Sequence, residues 1–266
     1  FVAAFGMGVQ GVAWATFLCQ GISCLLSLWV VLRRVRTVPT EGERVWFSWA
    51  MLGRIAVVAI PSILQQTFVS VGNIVIQSVI NSFGASVIAG YAAATKLNNV
   101  LISSVSTLGS GISNYASQNY GAGRPERVKA GFGAGVKLLG TICLGFTALY
   151  LLAGRPLLLL FMNSPTGEAI ETGVVFLRTV APFYVLLAFK LSSDGLMRGC
   201  GMMGRFMATT LSDMFLRMTL AVLFARLLGV NGIWLSWPVG WLVGSGLSVV
   251  FYRTSIGRWT KEKTNL

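Results

Sequence analysis

The chain has 266 residues, of which 55% are hydrophobic and 11% charged, with a net charge of +13 and no histidine. Soluble domains carry roughly a quarter charged residues, and here the basic residues fall between apolar runs instead of gathering on one face, so the composition is that of a membrane protein and excludes a nucleic-acid partner. Without histidine the serine triad, His-based acid–base catalysis and most zinc sites are also excluded; the chain does not read as an enzyme, and it implies no cofactor or structural metal.

A helix needs about 20 mostly apolar residues to cross the hydrocarbon core. Seven stretches qualify in chain order: 11–32, 55–80, 86–118, 132–153, 173–196, 206–228 and 230–252. The fold class expected is therefore all-α, a polytopic membrane protein with the lipid bilayer as its solvent. The third stretch is long for one crossing and is expected to tilt or to project beyond the bilayer. Phe1 opens the chain without a basic n-region, so nothing reads as a cleavable signal peptide. Cys19, Cys24, Cys143 and Cys200 show no CxxC pairing and imply no disulfide framework.

Lysine and arginine in the connections orient the chain. One set of connections holds Arg33, Arg34, Arg36, Arg44, Arg54, Arg124, Arg127, Lys129, Arg198, Arg205, Arg253, Arg258, Lys261 and Lys263, whereas the alternating set holds Arg155 and Arg226. Fourteen against two puts the first set, and the C-terminus, in the cytoplasm. Lys137 and Arg178 read as anchors, since both lie near span ends, where long basic side chains snorkel to the interface.

The first and seventh spans open alike. Residues 8–15 read GVQGVAWA and residues 229–236 read GVNGIWLS. Aligning Gly8 with Gly229 places Leu26-Ser27 on Leu247-Ser248 and brings the exits at Arg33 and Arg253 within one position of register. Five spans lie between, so the repeating unit holds six helices and consecutive units keep one orientation, related by an axis along the membrane normal. The first span then reads as the closing helix of a preceding unit whose other five helices lie outside this chain. The alternative is that Gly-Val-polar-Gly is simply a common way to begin a close-packed membrane helix.

The loop after the third span, SNYASQNYGAGRPERVKAG at residues 113–131, resembles the Q-x-x-G-A-G-x-x-x-R loop of the multidrug and toxic compound extrusion (MATE) family. Three further features are similar to that family: Ala59-Ile60-Pro61-Ser62 with Asn81-Ser82-Phe83-Gly84 at the two ends of the second span, the exit Leu196-Met197-Arg198-Gly199-Cys200-Gly201 after the fifth, and Gly229–Gly232 before the seventh. The resemblance implies a two-lobed transporter of twelve helices. Residues 1–34 would be the last helix of the N-terminal lobe, 35–54 a basic cytoplasmic linker, 55–253 the six-helix C-terminal lobe and 254–266 a basic cytoplasmic tail. It further implies an antiporter in the cell membrane that expels cationic or amphipathic compounds in exchange for Na+ or H+, with the missing N-terminal helices as its partner. Na+-coupled relatives of this lobe carry an acid on its first helix, yet residues 56–81 contain no Asp or Glu. The family's second acid lies deeper than Asp194, in the stretch that here reads Phe183-Tyr184-Val185-Leu186-Leu187.

Several residues are candidates for transport. Gln66, Ser70, Asn73, Gln77 and Asn81 share one helical face of the second span, and Asn99, Ser103, Ser106, Ser110 and Asn114 share one of the third. Such stripes either line a wet cavity, with Gln66, Ser70, Asn73, Gln77, Asn81, Asn99 and Ser103 touching substrate, or hydrogen-bond helices together. Lys96, about ten residues into its span, is a further substrate candidate that either repels cations, pairs with an acid or loses its proton when desolvated. Lys190, Asp194, Asp213 and Arg217 lie at matching distances from the turn near Gly201, in i,i+4 pairs, and are expected to form one network. That network either exchanges an ion during transport or staples two helices. Besides efflux, two other functions fit the chain: a lipid-linked oligosaccharide flippase of the same superfamily, or a membrane scaffold that transports nothing.

Overall fold

The computed structural model describes residues 1–37, 47–162 and 167–264, with side chains for all of these except Ala3, Ala4 and residues 255–264. Much of the basic linker, including Arg44, and the tail side chains of Arg258, Lys261 and Lys263 therefore fall outside the described residues. The described chain is helical throughout: α1 (Val2–Phe5), α2 (Gly8–Val35), α3 (Trp49–Asn81), α4 (Ala85–Gly121), α5 (Pro125–Leu159), α6 (Gly167–Val180), α7 (Tyr184–Gly199), α8 (Met203–Leu228) and α9 (Val230–Thr264). It divides into two units, Phe1–Trp49 and Ala50–Leu266.

In the first unit, α2 buries only Gly11. Gly8 has φ 55°, and a Cβ on Gly11 would sit 2.9 Å from the Met7 Cβ. The counterpart Gly229, before α9, has φ 64°, and a Cβ on Gly232 would run into the Phe224 carbonyl. Both copies of the repeated element thus use a left-handed glycine to reverse the chain and a second glycine to fold the new helix against what precedes it.

In the second unit α4 lies against α5, α6 and α7, while α9 packs on α6, α7 and α8. Close approach of α4 is glycine-dependent: a Cβ on Gly195 of α7 would run into the Gly109 carbonyl, and one on Gly109 would sit 3.2 Å from the Leu191 carbonyl. Rings tie the layers together. Tyr91 stacks on Trp234 at 5.4 Å, and Phe176 meets Trp234 and Trp237 edge-on at 5.1 and 5.8 Å. Two turns share one design: Gly123 (φ 67°) and Gly201 (φ 72°) each let the next amide reach back, Arg124 N to the Asn119 carbonyl at 2.9 Å and Met202 N to the Met197 carbonyl at 2.8 Å. The left-handed glycine ends each helix and sends the chain back antiparallel.

The structure departs from the expected seven uninterrupted spans at the fifth. Residues 173–196 are two helices, α6 and α7, joined by a 3-10 turn at Ala181–Phe183. Pro182 has no amide to give and crowds the preceding turn; the Ala181 carbonyl accepts both from the Tyr184 amide and from the Thr147 hydroxyl, the latter at 2.7 Å. By length and apolarity, five segments are fit to cross a membrane: Gly8–Val35, Trp49–Asn81, Pro125–Leu159, Gly167–Gly199 and Val230–Thr254. Helices α4 and α8, which carry the serine and asparagine stripe and the Asp213/Arg217 pair, are not among these five. α4 has 37 residues, about 55 Å at 1.5 Å per residue, and so exceeds a bilayer core of about 30 Å. α9 runs as helix through the tail to Thr264.

Because α4 and α7 meet backbone to backbone, Gly195→Val should lower the thermal stability of the detergent-solubilised protein by an amount equivalent to about 1–3 kcal/mol of overpacking. Gly140→Ala, inside α5 where a Cβ would meet nothing within 4 Å, should leave the melting temperature in place or raise it slightly. Equal melting temperatures for both variants would contradict the packing described.

Candidate functional site

Lys190 and Asp194 lie one turn apart on α7, and Asp213 and Arg217 one turn apart on α8; the tight turn at Gly201 folds these helices back on each other. Lys190 Nζ donates to Asp194 Oδ2 at 2.8 Å and lies 3.7 Å from Asp213 Oδ2, which is 3.8 Å from Arg217 Nη2. The Thr209 hydroxyl donates to Asp194 Oδ1 at 3.3 Å. Only 3–4% of Lys190, Asp194 and Asp213 is exposed, and 9% of Arg217. A buried ionic group is costly unless paired, and here two cations meet two anions. Two glycines of α9 make room: a Cβ on Gly240 would run into Asp213 Oδ1, and one on Gly244 would lie 3.0 Å from Lys190 Cε.

This network forms one wall of an open cavity of about 570 Å³ in the second unit. α3 contributes Gln65, Gln66, Val69 and Asn73; α4 contributes Asn99, Ile102, Ser103, Ser106, Thr107 and Ser110. Leu187 and Leu191 of α7, Thr210 and Met214 of α8, and Trp237 and Trp241 of α9 complete it. The chamber therefore sets amides and hydroxyls opposite four balanced charges, with an aromatic and aliphatic remainder. Most of the lining side chains are polar or charged, so the chamber is wetter than the largely apolar clefts that small-molecule sites usually present.

Of the sequence candidates, Gln66, Asn73, Asn99 and Ser103 line the cavity, as do all four members of the charged network. Ser70, Gln77, Asn81 and Lys96 do not. The Ser70 hydroxyl donates back to the Gln66 carbonyl at 3.0 Å, and Gln77 Nε2 donates to Asn81 Oδ1 at 2.8 Å, so these residues satisfy their own helix. Lys96 is exposed and directs its ammonium over the Phe161 ring, 5.7 Å from the centroid. Residues not singled out from sequence are Gln65, Thr107, Thr210, Trp237 and Trp241. For the last two a signal was present: they are i,i+4 on a helix whose Gly240 and Gly244 form the G-x-x-x-G pattern of close helix packing. Asn98 is fully buried and accepts from the Tyr184 hydroxyl at 2.9 Å, outside the cavity. Among the described residues no group of three or more His, Cys, Asp or Glu is placed to hold a metal ion.

Asp213 is the member that faces both cations. Asp213→Asn should destabilise the protein by about 3–5 kcal/mol, the cost of leaving a buried charge unpaired, read as a lower melting temperature in detergent. An unchanged melting temperature would contradict the network.

A family model described as MatE matches residues 61–223. The probable multidrug resistance protein YpnP of Bacillus subtilis (strain 168) is 30% identical over 264 residues, which is 99% of this chain and 58% of that relative. An FAD transporter of Shewanella oneidensis is 26% identical over 249 residues, 88% of this chain and 53% of the relative. A solved multidrug resistance MATE family transporter of the MOP superfamily, in an outward-facing conformation, superimposes with a TM-score of 0.86 at 22% identity, over 98% of this chain and 59% of that one. The chain thus spans somewhat more than half the length of the proteins it matches, and its helices follow the transporter fold over nearly all of its own length. With the family model covering most of the six-helix unit and the glycine turns at Gly123 and Gly201 in place, the chain belongs to the MATE family.

Proposed function

We propose that the full-length protein is a secondary active efflux transporter, exporting cationic or amphipathic compounds in exchange for Na+ or H+ by alternating access. The observation that carries this reading is the open cavity of about 570 Å³ lined by α3, α4, α7, α8 and α9, polar on one side and aromatic on another. Rocking of two lobes about a central site near the bilayer midplane would open such a chamber to each side in turn. In this scheme the cell membrane is the working location, the loops with Arg124 and Arg205 face the cytoplasm, and the lobe described supplies half of the compartment. Asp194 and Asp213 are the acids of the cavity wall and hence its candidates for exchanging the coupling ion. A carboxylate that trades a cationic neighbour for a proton or a metal cation changes the charge of the chamber, which is how intramembrane acids drive transport cycles. The drug-resistance name of the Bacillus relative agrees with export.

Cells lacking their own efflux pumps test the reading. Expression of the full-length gene should lower accumulation of the cationic dye ethidium, and Gln66→Leu with Asn73→Leu should abolish most of that protection while membrane expression stays normal. Dye accumulation unaffected by the unmodified gene, across several cationic and amphipathic compounds, would overturn efflux; lost expression of the double variant would show that the amides hold helices together.

A further inference from the structure

Arg217 leaves most of its donors in the buried network unused. Its guanidinium carries five N–H donors in a planar fork, yet among the described residues its one hydrogen bond runs from Nη2 to the Met214 thioether at 3.0 Å. The nearest carboxylate oxygen, on Asp213, is 3.8 Å away, beyond hydrogen-bond reach. Nε has no partner. The guanidinium lies over the Trp237 ring, 4.9 Å from its centroid, and that ring carries a buried indole N–H without an acceptor. The Thr210 hydroxyl, on the same face of α8 and 5% exposed, is likewise without a partner. All three residues line the cavity. Lys190 differs: its ammonium is bonded to Asp194.

Unpaired donors on this wall, Arg217 Nε, Trp237 Nε1 and the Thr210 hydroxyl, therefore outnumber its one unpaired acceptor, Asp213 Oδ1, around a planar cation seated on an indole. Buried donors without acceptors are costly, and a guanidinium fork matches a carboxylate, sulfonate or phosphate in a bidentate pair. Resting on the transporter reading, we infer that the cavity selects amphipathic compounds with an oxyanion at one end, which docks on Arg217 beside Trp237, while their aromatic body lies along Trp241 and the α3 amides. Asp213 is the competitor. Its ion pair with Arg217 is long, so an arriving oxyanion would displace the Asp213 carboxylate toward Lys190, already 3.7 Å away.

Matched probes of opposite charge decide the point. The full-length protein in lipid nanodiscs would be titrated calorimetrically with 2-naphthoate, with 2-naphthylmethylammonium and with inorganic phosphate, and empty discs subtracted. Naphthoate should bind at least tenfold tighter than the ammonium analogue. Arg217→Lys, which keeps the charge beside Asp213 but loses the fork, and Thr210→Val, which keeps shape, should each weaken naphthoate about tenfold without shifting the melting temperature as Asp213→Asn does. Tighter binding of the ammonium probe would overturn the inference in favour of docking on Asp194 or Asp213. Naphthoate affinity unchanged in both variants, or phosphate binding as tightly as naphthoate, would overturn it also, the latter by making the site one for an inorganic anion. Because ethidium accumulation in cells is read separately, failure of this charge preference leaves efflux standing, and failure of efflux is seen without it.

Discussion

Four charges held away from water constrain nearly everything around them. In a hydrocarbon environment an ionised side chain without a partner is among the costliest groups a helix can carry, so Lys190, Asp194, Asp213 and Arg217 have to converge or the unit does not assemble. Convergence requires that α7 and α8 run antiparallel at matched depth, which the left-handed Gly201 enforces, and that α9 come close enough to seal the cluster, which Gly240 and Gly244 permit. The cluster stabilises the fold less by its own attraction than by the penalty attached to every arrangement that separates it.

The same packing logic extends to α4. Its backbone meets α7 at Gly109 and Gly195, and its apolar face carries Leu97, Leu101 and Val105 into the core. The opposite face, with Asn99, Ser103, Ser106 and Ser110, is left for the cavity. One helix thereby separates a dry interior from a wet one. Many of its hydroxyls turn back to their own backbone: Ser110 donates to the Ser106 carbonyl at 3.1 Å, and Thr107 to the Ser103 carbonyl at 2.9 Å. A lining of hydroxyls that are satisfied within their own helix remains polar to a ligand without demanding one. Arg217 and Thr210 are different in kind, because each lines the chamber and keeps a buried donor that its own helix does not use.

Much of this is legible in the amino-acid sequence. Apolar run lengths locate the long helices, and equal distance from the Gly201 turn, together with i,i+4 spacing, is enough to bring the four charges together. Helical periodicity likewise identifies Gln66 and Asn73 with Asn99 and Ser103. What periodicity cannot supply is direction and competition. Ser70 and Gln77 lie on the same stripe, but hydrogen bonds within α3 are closer than any ligand; Lys96 escapes toward Phe161, a residue just beyond the end of α5 that no local pattern links to it. Pro182 sits inside an unbroken apolar run and reads as part of a single crossing; the turn it makes is tied to α5 by the Thr147 hydroxyl, 34 residues before Ala181, which donates to the Ala181 carbonyl beside the Tyr184 amide. Trp237 and Trp241 look like ordinary core residues, and only the glycines between and beside them hint that a charged neighbour lies within reach.

Water access to the polar face of α4 is the most direct test of the central idea, that the chamber inside the lobe is the transport compartment. In the full-length protein with Cys19, Cys24, Cys143 and Cys200 replaced by serine, Ser106→Cys would be exposed to a membrane-impermeant maleimide in native membranes, with Leu152→Cys, 87% exposed on the apolar surface, as the lipid-facing control. Labelling of position 106 that falls when a transported compound is present, with position 152 unlabelled, is the expected result. A thiol at position 106 that reacts only after the protein is unfolded would contradict it.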